Sequence, residues 1–87
     1  MPHFVIESTH TAEECLEAHD QVAALGQELF SQYYWSCPCP HAGWVMLEAE
    51  DARAAQAAIP NAFRRAARLI RAEKLTLEQL RAAHSNL

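Results

Sequence analysis

The sequence predicts an α+β domain, an antiparallel four-stranded sheet with two helices on one face and a short further helix at the C-terminal end. Three observations carry this. Period-two and period-3.6 apolar patterns alternate in the order strand, helix, strand, strand, helix, strand, which is the split βαβ arrangement. Two Thr-x-x-Glu/Gln boxes, Thr11 with Glu14 and Thr76 with Gln79, mark helix starts. The length, 87 residues, is too short for a second core, so one domain is expected over residues 1–87.

Phe4-Val5-Ile6 reads as the first strand, with Phe4 and Ile6 on one face and His3, Val5 and Glu7 on the other. Thr11 opens a helix through residues 12–30, since Cys15, Ala18, Val22, Leu25 and Leu29 recur at three- and four-residue steps. Gly26 weakens it or lets another backbone approach. Gln32 to Cys37 is aromatic enough for a second strand and Gly43 to Ala49 forms a third. Between them, Pro38 and Pro40 remove ladder donors, so the hairpin has an irregular connection. Asp51 caps a second helix through about Ala58, buried through Ala54, Ala55, Ala58 and Ile59, and Pro60 ends it. Arg68 to Ala72 supports a fourth strand, although Ala66, Ala67 and the arginines suit a helix equally. Thr76 begins the last helix, which runs to about His84.

Composition adds two constraints. Of the 51% hydrophobic residues a large share is alanine, seventeen in all, which leaves few bulky side chains for a core. A chain this short then needs a staple, a metal or a second subunit. Charge is divided by position: residues 1–51 hold nine Asp/Glu and no Lys or Arg, while residues 52–87 hold all seven Lys/Arg and two Asp/Glu. Halves of opposite sign can attract one another, and the net charge of −4 argues against a nucleic-acid partner. The patch Arg64, Arg65, Arg68 and Arg71 is accordingly read as balancing the acidic first helix. Three cysteines are an odd number for a disulfide framework, so a reduced, cytoplasmic setting is expected. No stretch approaches the roughly 18 consecutive apolar residues of a membrane span, and no signal segment is read at the N-terminus.

With both helices on one side, the other face of the sheet is left open. Alternation assigns to it His3, Val5, Glu7, Trp44, Met46 and Glu48, with Tyr33, Trp35 and Cys37 from the second strand. That mixture is too apolar to face water and too polar for a plain core. A second copy packed face to face would cover it, so a homodimer is expected. At this level the chain resembles the small dimeric α+β barrel proteins, a ferredoxin-like group that includes muconolactone isomerase-like and antibiotic-biosynthesis monooxygenase-like families and uncharacterised relatives. The resemblance covers residues 3–75. It rests on the element order, the Tyr-Tyr-Trp-Ser-Cys strand, Gly43-Trp44, the Glu48-Ala49-Glu50 ending and Ile59-Pro60. It implies a dimer. Relatives that hold nickel, haem or small molecules leave the activity open.

Cys37-Pro38-Cys39-Pro40-His41 is the segment richest in chemistry. Its three soft or borderline ligands at i, i+2 and i+4 favour Zn2+, Ni2+ or Cu(I) over hard cations, with His3, His10, water or a partner group as a fourth ligand. The competing reading makes Cys37 a small buried hydrophobe and the prolines hairpin stiffeners. Cys-Pro dipeptides also bind haem iron in other proteins, but they are frequent by chance, and haem ranks below the transition metals. Cys15 and His19, one helical turn apart, form either a second ligand pair or ordinary packing. As an alternative to a binding protein, Glu7 and Glu48 are candidate cleft carboxylates of a small isomerase or monooxygenase-like enzyme, facing an aromatic or lactone-like substrate across Tyr33, Trp35, Trp44 and Met46. Against this, each glutamate can instead pair with Arg68 or Arg71.

Overall fold

A computed structural model describes residues 1–37 and 41–85. Alternation along the first strand, β1 (His3–Thr9), is clean: Phe4, Ile6 and Ser8 are buried, while His3, Val5 and Glu7 are half-buried. Helix α1 (Ala12–Ala23) starts where the capping box places it. The Thr11 hydroxyl accepts from the Glu14 amide at 3.3 Å and the Glu14 carboxylate accepts from the Thr11 amide at 2.8 Å, so two otherwise orphaned donors are satisfied. Cys15, Ala18 and Val22 form its buried stripe.

The helix expected to run to residue 30 divides. Gly26 has φ +108°, a conformation that L side chains rarely adopt, and the chain turns there before a separate short helix, α2 (Gln27–Phe30). Leu25 and Leu29, expected on the buried stripe, are therefore exposed, and so is Leu16.

Strands β2 (Tyr33–Ser36), β3 (Ala42–Glu48) and β4 (Ala67–Ala72) join β1 in one antiparallel sheet of order β2-β3-β1-β4. This α+β architecture is compatible with a ferredoxin-like fold. Asp51 caps helix α3 (Ala52–Ala57) by accepting from the Ala54 amide at 2.8 Å. Only Ala55 and Ile59 of its expected buried set are buried; Ala54 and Ala58 are exposed. Helix α3 closes at its C-cap Ala58, and Pro60 stands as the N-cap of a further turn of helix, α4 (Asn61–Arg64), for which no local signal stands out. The Gln21 side chain of α1 accepts from the Ala62 amide of α4 at 2.7 Å and ties the two together. Helix α5 (Leu77–His84) has its own capping box but buries no residue.

The core lies between the sheet and the layer formed by α1, α3 and α4. It comprises Phe4 and Ile6, Ala18 and Val22, Tyr33, Val45, Ala49, Ala55, Ile59, Ala62 and Phe63. Phe63 is central, with the Tyr33 ring edge-on at 5.1 Å and the Trp35 ring at 5.9 Å. A Cβ at Gly43 would lie 2.7 Å from Phe63 Cε2 and 3.1 Å from the Trp35 ring, so the glycine lets two aromatic side chains close over β3.

The register corrects one face assignment. Tyr33 pairs with Val45 and Trp35 with Gly43, which places both aromatic residues under the helices instead of on the open face. Their shared contacts with Phe63 decide this, because a one-residue slip would expose Tyr33 and bury Tyr34. The open face carries Tyr34 and Ser36 from β2 instead. From β1 and β3 it carries His3, Val5, Glu7, Trp44, Met46 and Glu48 as expected. The division of charge is also expressed in contact: Arg65 Nη2 lies 3.4 Å from Glu17 Oε1, joining the basic segment to the acidic helix.

Candidate metal centre

Three segments converge at the Thr9 end of β1. The first is the opening turn of α1, which carries Cys15. The second is the residue after β2, Cys37, and the third is the residue before β3, His41. One ligand atom from each of these three side chains lies within 4.8 Å of the other two. Cys37 Sγ is 3.5 Å from His41 Nδ1. Cys15 is buried, Cys37 is exposed and His41 is intermediate, so the cluster sits at the edge of the helix layer with one side towards solvent. A cavity of about 210 Å3 adjoins it, lined by Ala12, Cys15, Leu16, His19 and Cys37.

Burial pushes the Cys15 thiol above the ordinary cysteine range, and the neighbouring Cys37, through its charge and a side-chain hydrogen bond, pushes it the same way. A buried thiol that resists ionisation is the kind that a cation can relieve, because metal binding replaces its proton.

Two more histidines stand close by. His10 Nδ1 is 3.3 Å from the hydroxyl of Ser8, which is fully buried. Burial lowers the His10 pKa, with Glu14 opposing that shift and His41 and His19 adding to it. The His19 ring lies against Trp35, with centroids 3.8 Å apart. The Nε2 atoms of both histidines are buried without a hydrogen-bond partner.

Of the three ligands expected from the hairpin, Cys37 and His41 come together, while Cys39 lies outside the described residues. Cys15 takes a place beside them. Its helical spacing marked it only as part of the buried stripe or as a partner for His19, and its distance from Cys37 in sequence concealed the rest.

The residues assigned to an enzyme cleft are dispersed. Glu7 pairs in register with Trp44 and Arg68, and its carboxylate accepts from Trp44 Nε1 at 2.9 Å. Glu48 pairs with His3, whose Nε2 is 3.0 Å from Glu48 Oε1. The two glutamates share the open face but stand four residues apart in register, roughly 14 Å at the usual strand rise. They are not the cross-strand neighbours the sequence led one to expect. That separation is too great for the strong like-charge coupling of a carboxylate dyad. Trp44 and Met46 are on this face, Tyr33 and Trp35 on the other. A cavity of about 180 Å3 on the open side is lined by His3, Met46, Ala72, Glu73 and Lys74 and includes neither glutamate.

The arrangement thus defines a class, an α+β domain with a Cys/Cys/His cluster that could hold a metal ion. No family model, curated protein or solved structure matches the chain. No helix among the described residues is long and apolar enough to cross a membrane.

Proposed function

We propose that this protein binds a borderline-soft transition-metal ion through Cys15, Cys37 and His41. The carrying observation is the approach of two sulfurs and an imidazole nitrogen to within 4.8 Å of one another, with Cys15 brought from a helix more than twenty residues before the Cys37–His41 hairpin. Thiolate and imidazole donors select Zn2+, Ni2+ or Cu(I) over magnesium or calcium. Zinc suits the set best, since a tetrahedral ion with Zn–S bonds of about 2.3 Å holds its sulfurs about 3.8 Å apart. The cluster would have to contract by only about an ångström. Holding such thiols reduced fits a cytoplasmic setting.

The same proposal takes the sheet as a ferredoxin-like split βαβ sheet that pairs with a second copy. Tyr34, Met46 and Ile70 are exposed on the face opposite the helices, and a second sheet would cover them. Solution mass measurement tests this part, and a monomer at all concentrations would exclude it. The metal reading is tested by elemental analysis of the purified protein together with Zn2+ titration of the wild type, Cys15→Ser and Cys37→Ser. Stoichiometric uptake that each serine variant weakens is the expected result. Unchanged affinity in both variants would discard the site.

A further inference from the structure

Two thiolates and one imidazole leave a tetrahedral ion one ligand short, and the geometry points to His10, through Nε2, as the fourth ligand of a closed Cys15-Cys37-His41-His10 centre; its ring nitrogens stand outside the 4.8 Å group of the other three, so ion binding has to draw the imidazole inward. This rests on the metal-binding reading above and decides what kind of centre it is. A closed four-ligand zinc centre holds structure or stores metal, whereas a three-ligand centre keeps a position for substrate or water.

The strand registers supply the first argument. Thr9 pairs with Ala42 on β3, and the next amide, His10, donates to the His41 carbonyl at 3.0 Å, so the ladder continues one step and His10 stands opposite His41. On the other side Ser36 pairs with Ala42, which puts Cys37 opposite His41 as well, in agreement with the 3.5 Å approach of their side chains. The three residues therefore form one rung just beyond the ends of three strands. Directly opposed residues face the same side of a sheet, with Cβ atoms about 4.5–5.5 Å apart. For this rung that side is the helix side. Ser8, two residues before His10, is fully buried, and Gly43, two after His41, lies beneath Phe63. Cys15 reaches the same place from the first turn of α1.

The second argument is the state of the imidazole. His10 Nδ1 is occupied by Ser8 Oγ, while Nε2 is buried and has no hydrogen-bond partner. In the tautomer that donates Nδ1–H to this hydroxyl, the free lone pair is on Nε2. This is also the outer-shell contact that orients histidines on metals. A buried nitrogen without a partner is costly, and coordination would remove the cost.

The other candidates fit less well. His3 is at the far end of β1 and engages Glu48. His19 also has an unpartnered Nε2, but its ring lies tilted against Trp35 and edge-on to Phe30, which holds it as a wall of the adjoining cavity.

Co2+ titration, read by absorption, provides the test. In the wild type a thiolate-to-cobalt charge-transfer band should accompany intense visible bands of tetrahedral cobalt. His10→Ala and His10→Gln should keep the charge-transfer band, lose most of the visible intensity and bind about tenfold or more weakly, whereas His19→Ala should match the wild type. In wild-type protein labelled with 15N-histidine, Zn2+ should shift the His10 Nε2 resonance, a readout that needs no variant to fold. The proposal is overturned if His10 variants reproduce the wild-type spectrum and affinity, if the His10 Nε2 resonance does not move, or if His19→Ala shows the loss instead. Absence of any thiolate-to-cobalt band in the wild type is a separate result, and it overturns the metal reading itself.

Discussion

Helices α1 and α5 begin in the same way and end in different situations. Each opens on a threonine whose hydroxyl accepts from the third helical amide, and each has a side chain three residues on that returns the bond. By local rules they are equivalent. Yet α1 buries Cys15, Ala18 and Val22 against the sheet, while α5 buries nothing and leaves Leu77 and Leu80 exposed. The capping box therefore says where a helix starts, and packing says whether that helix can hold a functional side chain in place. Cys15 has a defined position relative to Cys37 and His41 because α1 is docked.

Substitutions can sharpen this contrast. The largest effect is expected from Phe63→Ala, which removes the ring closing the space beneath α1 and α4. A loss of about 3–5 kcal/mol is expected in urea unfolding, with α1 undocked. Adding Zn2+ at about a hundred times its dissociation constant should stabilise the wild type by about 2.7 kcal/mol. Chelator should reverse this, and amide exchange should slow in α1 without changing in α5. Slowing in both helices would contradict the independence of α5.

Gly43→Ala should cost about 1–3 kcal/mol, because its Cβ meets the rigid Phe63 and Trp35 rings instead of a flexible chain end. Thr11→Ala is expected to cost about 1 kcal/mol of global stability and to weaken metal binding through the displaced first turn. The equivalent Thr76→Ala should fray α5 in circular dichroism and leave the unfolding midpoint where it was. Leu80→Ala should alter stability by less than about 0.5 kcal/mol. A clear loss there, growing with protein concentration, would show α5 docking on a second copy.

Most of the element order could be read directly. Period-two patterning placed Phe4 and Ile6 inward and His3, Val5 and Glu7 outward, because those strands alternate apolar and polar residues. In β2 the run Tyr33-Tyr34-Trp35 has no alternation, so nothing local distinguishes its faces, and the assignment came out one residue off. Gly26 was visible as a weakness, but whether the helix tolerated it depended on where the chain had to turn next. The site was half legible. Cys37 and His41 are four residues apart and announced themselves, whereas Cys15 looks in sequence like any buried residue of an amphipathic stripe.

The sequence by itself determined the sites of local decision: the Thr11, Asp51 and Thr76 caps, the alternation of β1 and the soft ligands flanking two prolines. Each depends on hydrogen bonds or periodicity within a few residues. Tertiary structure alone decided which face of β2 turns inward, that α1 is docked and α5 is not, and that Cys15 meets Cys37 and His41. Those outcomes depend on contacts between residues distant along the chain, and burial of Phe63, Tyr33 and Trp35 outweighs any local preference among the alternatives.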